Sequence, residues 1–205
     1  MSCFINGVPF VGLTGGIGSG KTFVANIFQQ LFSIPVIDTD VIAFQISQTA
    51  FFSREVIRIF GKGILDPLSK VDRKKLRSAV FSSHEKRLEY EQFIHPLILK
   101  SAKEQISKVS EAYGILVVPL LFEKQNFRVL VDRSLLVDCP DIMQIERVKT
   151  RSGLSEEEIA AVMVTQMSRD ERLIRADDIV ENIYGRQKLS REVVRLHQFY
   201  LHKFH

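Results

Sequence analysis

Short, nearly unbroken apolar runs alternate along this chain with longer stretches in which apolar residues recur every three or four positions. Residues 10–14, 35–38, 115–118, 134–138 and 179–181 are runs short enough for strands and apolar enough to be buried on both faces. Separated by helical stretches, they predict an α/β fold with one five-stranded parallel sheet flanked by helices, because parallel neighbours need a crossover connection.

Residues 39–114 separate the second run from the third, far more than a crossover needs. Most of that stretch reads as helix, so a helical insertion is expected at 45–110 within a single domain covering 1–205. One helix is predicted over 72–81. Another should start at a capping box of Ser82 and Glu85, with Leu88, Phe93, Leu97 and Ile98 as its apolar positions. Gly61, Gly63, Asp66 and Pro67 mark an exposed turn. His95 precedes Pro96, whose ring restricts the backbone before it, and a helix end is one reading of that pair.

The first run leads into Gly15-Gly16-Ile17-Gly18-Ser19-Gly20-Lys21-Thr22, a match to G-x-x-x-x-G-K-[ST] in its required place between strand and helix. Glycines let the backbone curl until successive N–H groups point inward at phosphate oxygens, helped by the positive end of the following helix. Lys21 then supplies charge to the β- and γ-phosphates, and Thr22 offers a hydroxyl to Mg²⁺. This P-loop implies a nucleotide. The GTPase strings D-x-x-G and Asn-Lys-x-Asp are absent from the sequence, which favours ATP.

Asp38-Thr39-Asp40 closes the second run, and alternation would send both carboxylates over the carboxyl edge of the sheet, where open α/β folds bind ligands. One would hold the metal shell and the other would act as general base on an alcohol acceptor. A helix cap is the competing reading of Asp40. A helical lid is expected over 147–175: Arg147 and Arg151 precede Ser152-Gly153, Ser155 caps a helix opening on Glu156-Glu157-Glu158, and Arg169, Arg172 and Arg175 follow. Guanidinium groups there could close over a triphosphate and exclude water. Val129–Asp132 and Leu135–Asp138 also end in aspartate and read as strand ends.

Composition narrows the rest. The chain has 205 residues, 45% hydrophobic and 25% charged, as soluble globular proteins do. Its two cysteines, Cys3 and Cys139, form neither a disulfide scaffold nor a zinc pattern. The first basic residue is Lys21, so no secretory or transit signal is expected, and the location expected is cytoplasmic. No run approaches the length of a membrane span. With 28 lysines and arginines against 24 acids the net charge is +4, which favours anionic small molecules without requiring nucleic acid. Lys70, Arg73, Lys74, Lys75 and Arg77 gather in the insertion, either as a solvated face or as a receiver for a coenzyme's pyrophosphate. His197, His202 and His205 read as tail residues. The chain is expected to be a monomer or small homo-oligomer.

Taken in order, VGLTGGIGSGKT, PVIDTD, FIHPLI, ILVVPLLFE and ADDIVEN resemble the blocks of the dephospho-coenzyme A kinase family over nearly the whole chain. That resemblance implies ATP- and Mg²⁺-dependent phosphorylation of the ribose 3′-hydroxyl of dephospho-coenzyme A, the final step of coenzyme A synthesis. It implies Asp40 as base, Asp38 near the metal, the inserted helices as coenzyme-binding region, Arg147 and Arg151 in the lid, and His95 in acceptor binding. Thr39 departs from the family's usual alanine, and Val162 stands where many members carry an arginine. A shikimate-kinase-like enzyme and a nucleotide-driven switch with no acceptor are the two other readings.

Overall fold

A computed structural model describes residues 7–204. Its elements are, in order, β1 (Phe10–Thr14), α1 (Lys21–Phe32), β2 (Val36–Asp38), α2 (Thr39–Ser47), α3 (Ala50–Phe60), α4 (Arg73–Ser82), α5 (His84–Ile106), β3 (Gly114–Val117), α6 (Gln125–Arg128), β4 (Arg133–Asp138), α7 (Asp141–Ser152), α8 (Glu156–Val164), α9 (Arg169–Arg175), β5 (Asp178–Glu181) and α10 (Arg186–Phe204). All five predicted strands form, in one parallel sheet ordered β2-β3-β1-β4-β5.

The chain divides into two compact units, one holding residues up to Thr39 and from Lys103 onward, the other Asp40–Ala102. In the first, β1 and β3 are buried along their whole length because apolar side chains leave both faces of a central strand. Helix α1 presents Val24, Ile27 and Phe28, three and four residues apart, and α10 presents Leu189, Val193 and Tyr200. Both stripes meet Val11, Leu13, Ile115 and Leu135 in the main core. His197 belongs there too: its ring stacks on Phe32 at 3.9 Å, and its Nδ1 lies 2.8 Å from the Tyr113 hydroxyl. The tail expected around it is the last helix; His202 is exposed on that helix, and Cys3 and His205 lie outside the described residues.

The second unit is helical. Thr49 caps α3 and Asp72 caps α4, its carboxylate accepting from the N–H groups of Lys74 and Lys75 at 2.8 and 3.2 Å. The expected turn is held by Asp66, whose Oδ1 accepts from Leu68 and Lys70 N–H. Two local expectations fail. Helix α4 runs on through Ser82, so the side chain that caps the next helix is Ser83, bonded to the N–H of Lys86, and no Ser82–Glu85 box forms. Helix α5 does not end at His95 but continues through Pro96, and its buried stripe is Ile94, Ile98, Ala102 and Ile106, leaving Leu88 exposed. Tertiary burial outweighs the one backbone bond that proline deletes. Among the described residues no helix is long and apolar enough to cross a membrane.

Candidate functional site

The glycine-rich loop leaves β1 at Thr14 and enters α1 at Lys21. Lys21 folds back over it, Nζ donating to the carbonyls of Gly15 and Gly16 at 2.8 and 3.0 Å. All four glycines of the loop, Gly15, Gly16, Gly18 and Gly20, meet neighbours too close for a Cβ. A Cβ on Gly16 would collide with Oε1 of Gln144. Gly20, at φ 99° in the left-handed region, leaves no room for a Cβ beside Nδ2 of Asn182. Beneath the loop the Ser19 hydroxyl is wholly buried and has no hydrogen-bond partner among the described residues.

Side chains distant in sequence hold this loop. Asn182, just past β5, donates to the Ser19 carbonyl at 2.7 Å. Gln166, between α8 and α9, accepts from the N–H of Ile17 at 3.1 Å. Gln144 is buried in α7, its Nε2 donating to Cys139 O at 2.6 Å. Glu123 receives the N–H of Met167 at 2.7 Å and so fixes the segment carrying Gln166. Sequence reasoning missed all four as site residues. For Asn182 and Gln166 alone a signal was available in position, since each follows closely on a strand or helix end.

Within residues 147–175, Gly153 ends α7 and a complete capping box stands at Ser155 and Glu158. Arg147 donates to Asn182 O at 2.9 Å and lies 3.2 Å from the Cys139 sulfur and 3.5 Å from Ser19 O. Burial pushes the Cys139 thiol up, against the pull of Arg147. Arg169 grips Asp138 at the end of β4 through two bonds of 2.9 and 2.7 Å, which raises the guanidinium above its ordinary value. Asp132 is not a strand end, as expected, but precedes β4 and accepts from Phe10 N–H at 2.9 Å. Arg172 is 6% exposed and donates to Met167 O at 2.6 Å; desolvation lowers its pKa. Arg151 is exposed and turns toward the neighbouring Ser152 hydroxyl.

Asp38 ends β2 half-buried. Thr39, the departure from alanine, is buried and donates to Val117 O at 2.9 Å, fastening the end of β2 to β3. The alternation expected to carry Asp40 beside Asp38 does not apply, because α2 begins at Thr39 and Asp40 stands exposed in its first turn. An acid there complements the helix dipole, so the cap-like reading and a functional one coexist. In the second unit Asp40 lines a cavity of about 1140 Å³. Lys70, Arg73, Lys74 and Arg77 line it as well, while Lys75 turns to Leu65 O at 2.7 Å. Four cations face three acids in the wall, Asp40, Asp66 and Asp72, the last two accepting from backbone N–H groups, so its formal charge is +1. Arg73 lies 4.3 Å above the ring of Phe44. His95 is half-buried and is not among the cavity-lining residues. Among the described residues no group of three or more His, Cys, Asp or Glu is placed to hold a metal.

A family model described as dephospho-CoA kinase matches residues 9–187. A dephospho-CoA kinase of Nitrosomonas europaea is 45% identical over 192 residues, covering 93% of this chain and 94% of the relative. That of Chromobacterium violaceum is 42% identical over 195 residues, 95% of each. Among solved structures, TT1252 from Thermus thermophilus aligns with TM-score 0.83 and 30% identity over 94% of this chain and 97% of that one. The dephospho-CoA kinase from Campylobacter jejuni aligns at 0.62 and 26%, covering 95% and 98%. Shikimate kinase from Acinetobacter baumannii, at TM-score 0.50 and 16% identity over 96% and 94%, shares the fold alone. Because the family model spans residues 9–187 and relatives 42–45% identical cover 93–95% of it, the chain belongs to the dephospho-CoA kinase family.

Proposed function

We propose that this chain transfers the γ-phosphoryl group of ATP to the ribose 3′-hydroxyl of dephospho-coenzyme A, giving coenzyme A and ADP. The observation that carries the reading is the tethered glycine-rich loop with Lys21 drawn over it, in a chain matched by the family over residues 9–187. The 3′-oxygen attacks phosphorus in line, the bond from phosphorus to the ADP oxygen breaks, and the hydroxyl proton passes to the Asp40 carboxylate. Lys21 and the loop amides meet the charge on the phosphates. Arg151 is an exposed lid cation that can approach them, as is Arg175, whereas Arg147 works through the loop it touches.

Thr22 and Asp38 offer only oxygen donors, which suits Mg²⁺, an ion that keeps most of its water and needs few protein ligands. Bound there, the ion would neutralise phosphate charge and order its oxygens. The cavity of the 40–102 unit receives the acceptor. Its about 1140 Å³ suits a coenzyme-sized ligand, and its basic wall suits a pyrophosphate. The cavity carries acceptor binding, and His95, matched through its His-Pro-Leu-Ile string, is kept as an acceptor-side residue. We assign residues 45–110 to this role, 147–175 to the lid, and place the enzyme in the cytoplasm as a monomer or small homo-oligomer.

Release of ADP, measured with dephospho-coenzyme A and with shikimate, tests the assignment. Turnover with dephospho-coenzyme A and a product heavier by one phosphate at the 3′ position is expected. Turnover with shikimate alone, or steady ATP hydrolysis indifferent to any alcohol, would overturn it.

A further inference from the structure

We propose that Asn182 is a positioning residue for phosphoryl transfer, which aims the N–H of Gly20 into the phosphate cradle by holding the carbonyl of Ser19 from behind. The inference rests on the reading of residues 15–22 as that cradle.

The argument starts from the peptide bond. A trans peptide is planar, so the carbonyl of one residue and the N–H of the next point in opposite directions and turn as one body. Ser19 O and Gly20 N–H are such a pair. The carbonyl is held from outside the loop by Nδ2 of Asn182 at 2.7 Å, with Arg147 Nη1 at 3.5 Å as a second, weaker donor. The Gly20 N–H therefore points the other way, and among the described residues no protein acceptor takes it. Gly20 carries the left-handed conformation this arrangement demands, and its missing Cβ is what lets the Asn182 amide come so close.

Asn182 is itself held at both backbone groups. Its N–H donates to Asp138 O at 2.8 Å, prolonging the β4–β5 ladder by one bond, and its carbonyl accepts from Arg147 Nη2 at 2.9 Å. The side chain thus projects from a rigid strand end, and little freedom is lost when the loop closes on an anion. An acceptor-only side chain could not do this work, because it would face the Ser19 carbonyl lone pairs. The expected consequence is loss of nucleotide affinity through the phosphates, without a change at the acceptor cavity.

The test is ADP binding to the full chain, read by calorimetry and by the amide spectrum of ¹⁵N-labelled protein, for wild type, Asn182→Ala and Asn182→Asp. In wild type the Gly20 amide proton should move downfield as ADP binds. Asn182→Ala should weaken ADP by about fivefold, the worth of one neutral hydrogen bond, and Asn182→Asp by more. KM for ATP should rise further than kcat falls, and dephospho-coenzyme A should bind both variants as it binds wild type. Wild-type affinity for ADP in both variants, or a Gly20 amide indifferent to bound ADP, overturns the proposal; the second reading needs no variant to fold. Wild type that binds no ADP at all overturns the cradle itself, and this inference with it.

Discussion

If the cavity of the 40–102 unit receives the acceptor, it and the phosphate loop recognise their ligands by different means. In the loop the recognising groups are backbone N–H, and side chains such as Asn182 and Gln166 act on that backbone from remote parts of the chain. In the cavity the recognising groups are long basic side chains on α4 and the turn before it, with backbone N–H groups already spent on Asp66 and Asp72. A phosphate anion common to all nucleotides is met by a rigid array. An extended coenzyme would be met there by flexible cations whose freedom is lost only on binding.

Asp40 gives the comparison its hardest test, because it lines the cavity while following directly on the strand that ends in Asp38. Asp40→Asn keeps shape and removes the proton acceptor. We expect kcat to fall roughly 10²- to 10⁴-fold, with ATP affinity by calorimetry unchanged. An equal loss of ATP affinity would move Asp40 to the nucleotide side. Removing a wall cation comes next. Arg73→Ala should raise KM for dephospho-coenzyme A by roughly tenfold, the scale of one charge-assisted bond, and leave KM for ATP as it was. If KM for ATP rises instead, the basic wall is a nucleotide surface.

The two regions also differ in how far the sequence exposes them. The loop follows a motif fixed in spacing, and the five strands follow from apolar runs that only a doubly covered sheet could bury. Lys70, Arg73, Lys74 and Arg77 form no such pattern, since a charge run on a helix looks the same whether it faces solvent or a cavity. Asn182 and Gln166 are single polar residues whose partners lie far away in sequence, so neither spacing nor propensity marks them. Asp40 shows the limit of strand alternation: the rule holds only while the chain stays extended, and here it turns helical one residue after Asp38. His197 looked like tail because three histidines near a terminus carry no periodic signal, yet the α10 face it sits on is packed against α1.

A smaller effect is expected at Gln166, whose Oε1 occupies the Ile17 N–H. A phosphate oxygen is the better acceptor, being charged, but it must displace the amide. Gln166→Ala removes the competitor, and ATP should bind about two- to fivefold tighter by calorimetry, within the worth of a neutral bond. Weaker binding would show that Gln166 reaches phosphate itself.

The smallest effect is in pH, and it should separate the two units. Desolvation lowers the pKa of His197, so the folded state favours the neutral ring. Above about 6.5, the ordinary value, folded and unfolded rings are both neutral and the full stability is present. As pH falls from there toward the lowered folded pKa, the unfolded chain takes up a proton that the folded one resists, and stability is lost. Hydrogen exchange at pH 5.5 and 7.5 should then show α1 and α10 losing protection on acidification while α3 and α4 do not. In His197→Phe, which keeps a ring to stack on Phe32, that loss should vanish. Equal loss in both units, or its persistence in the variant, would place the acid sensitivity elsewhere than in the contact that joins the last helix to the one carrying the phosphate loop.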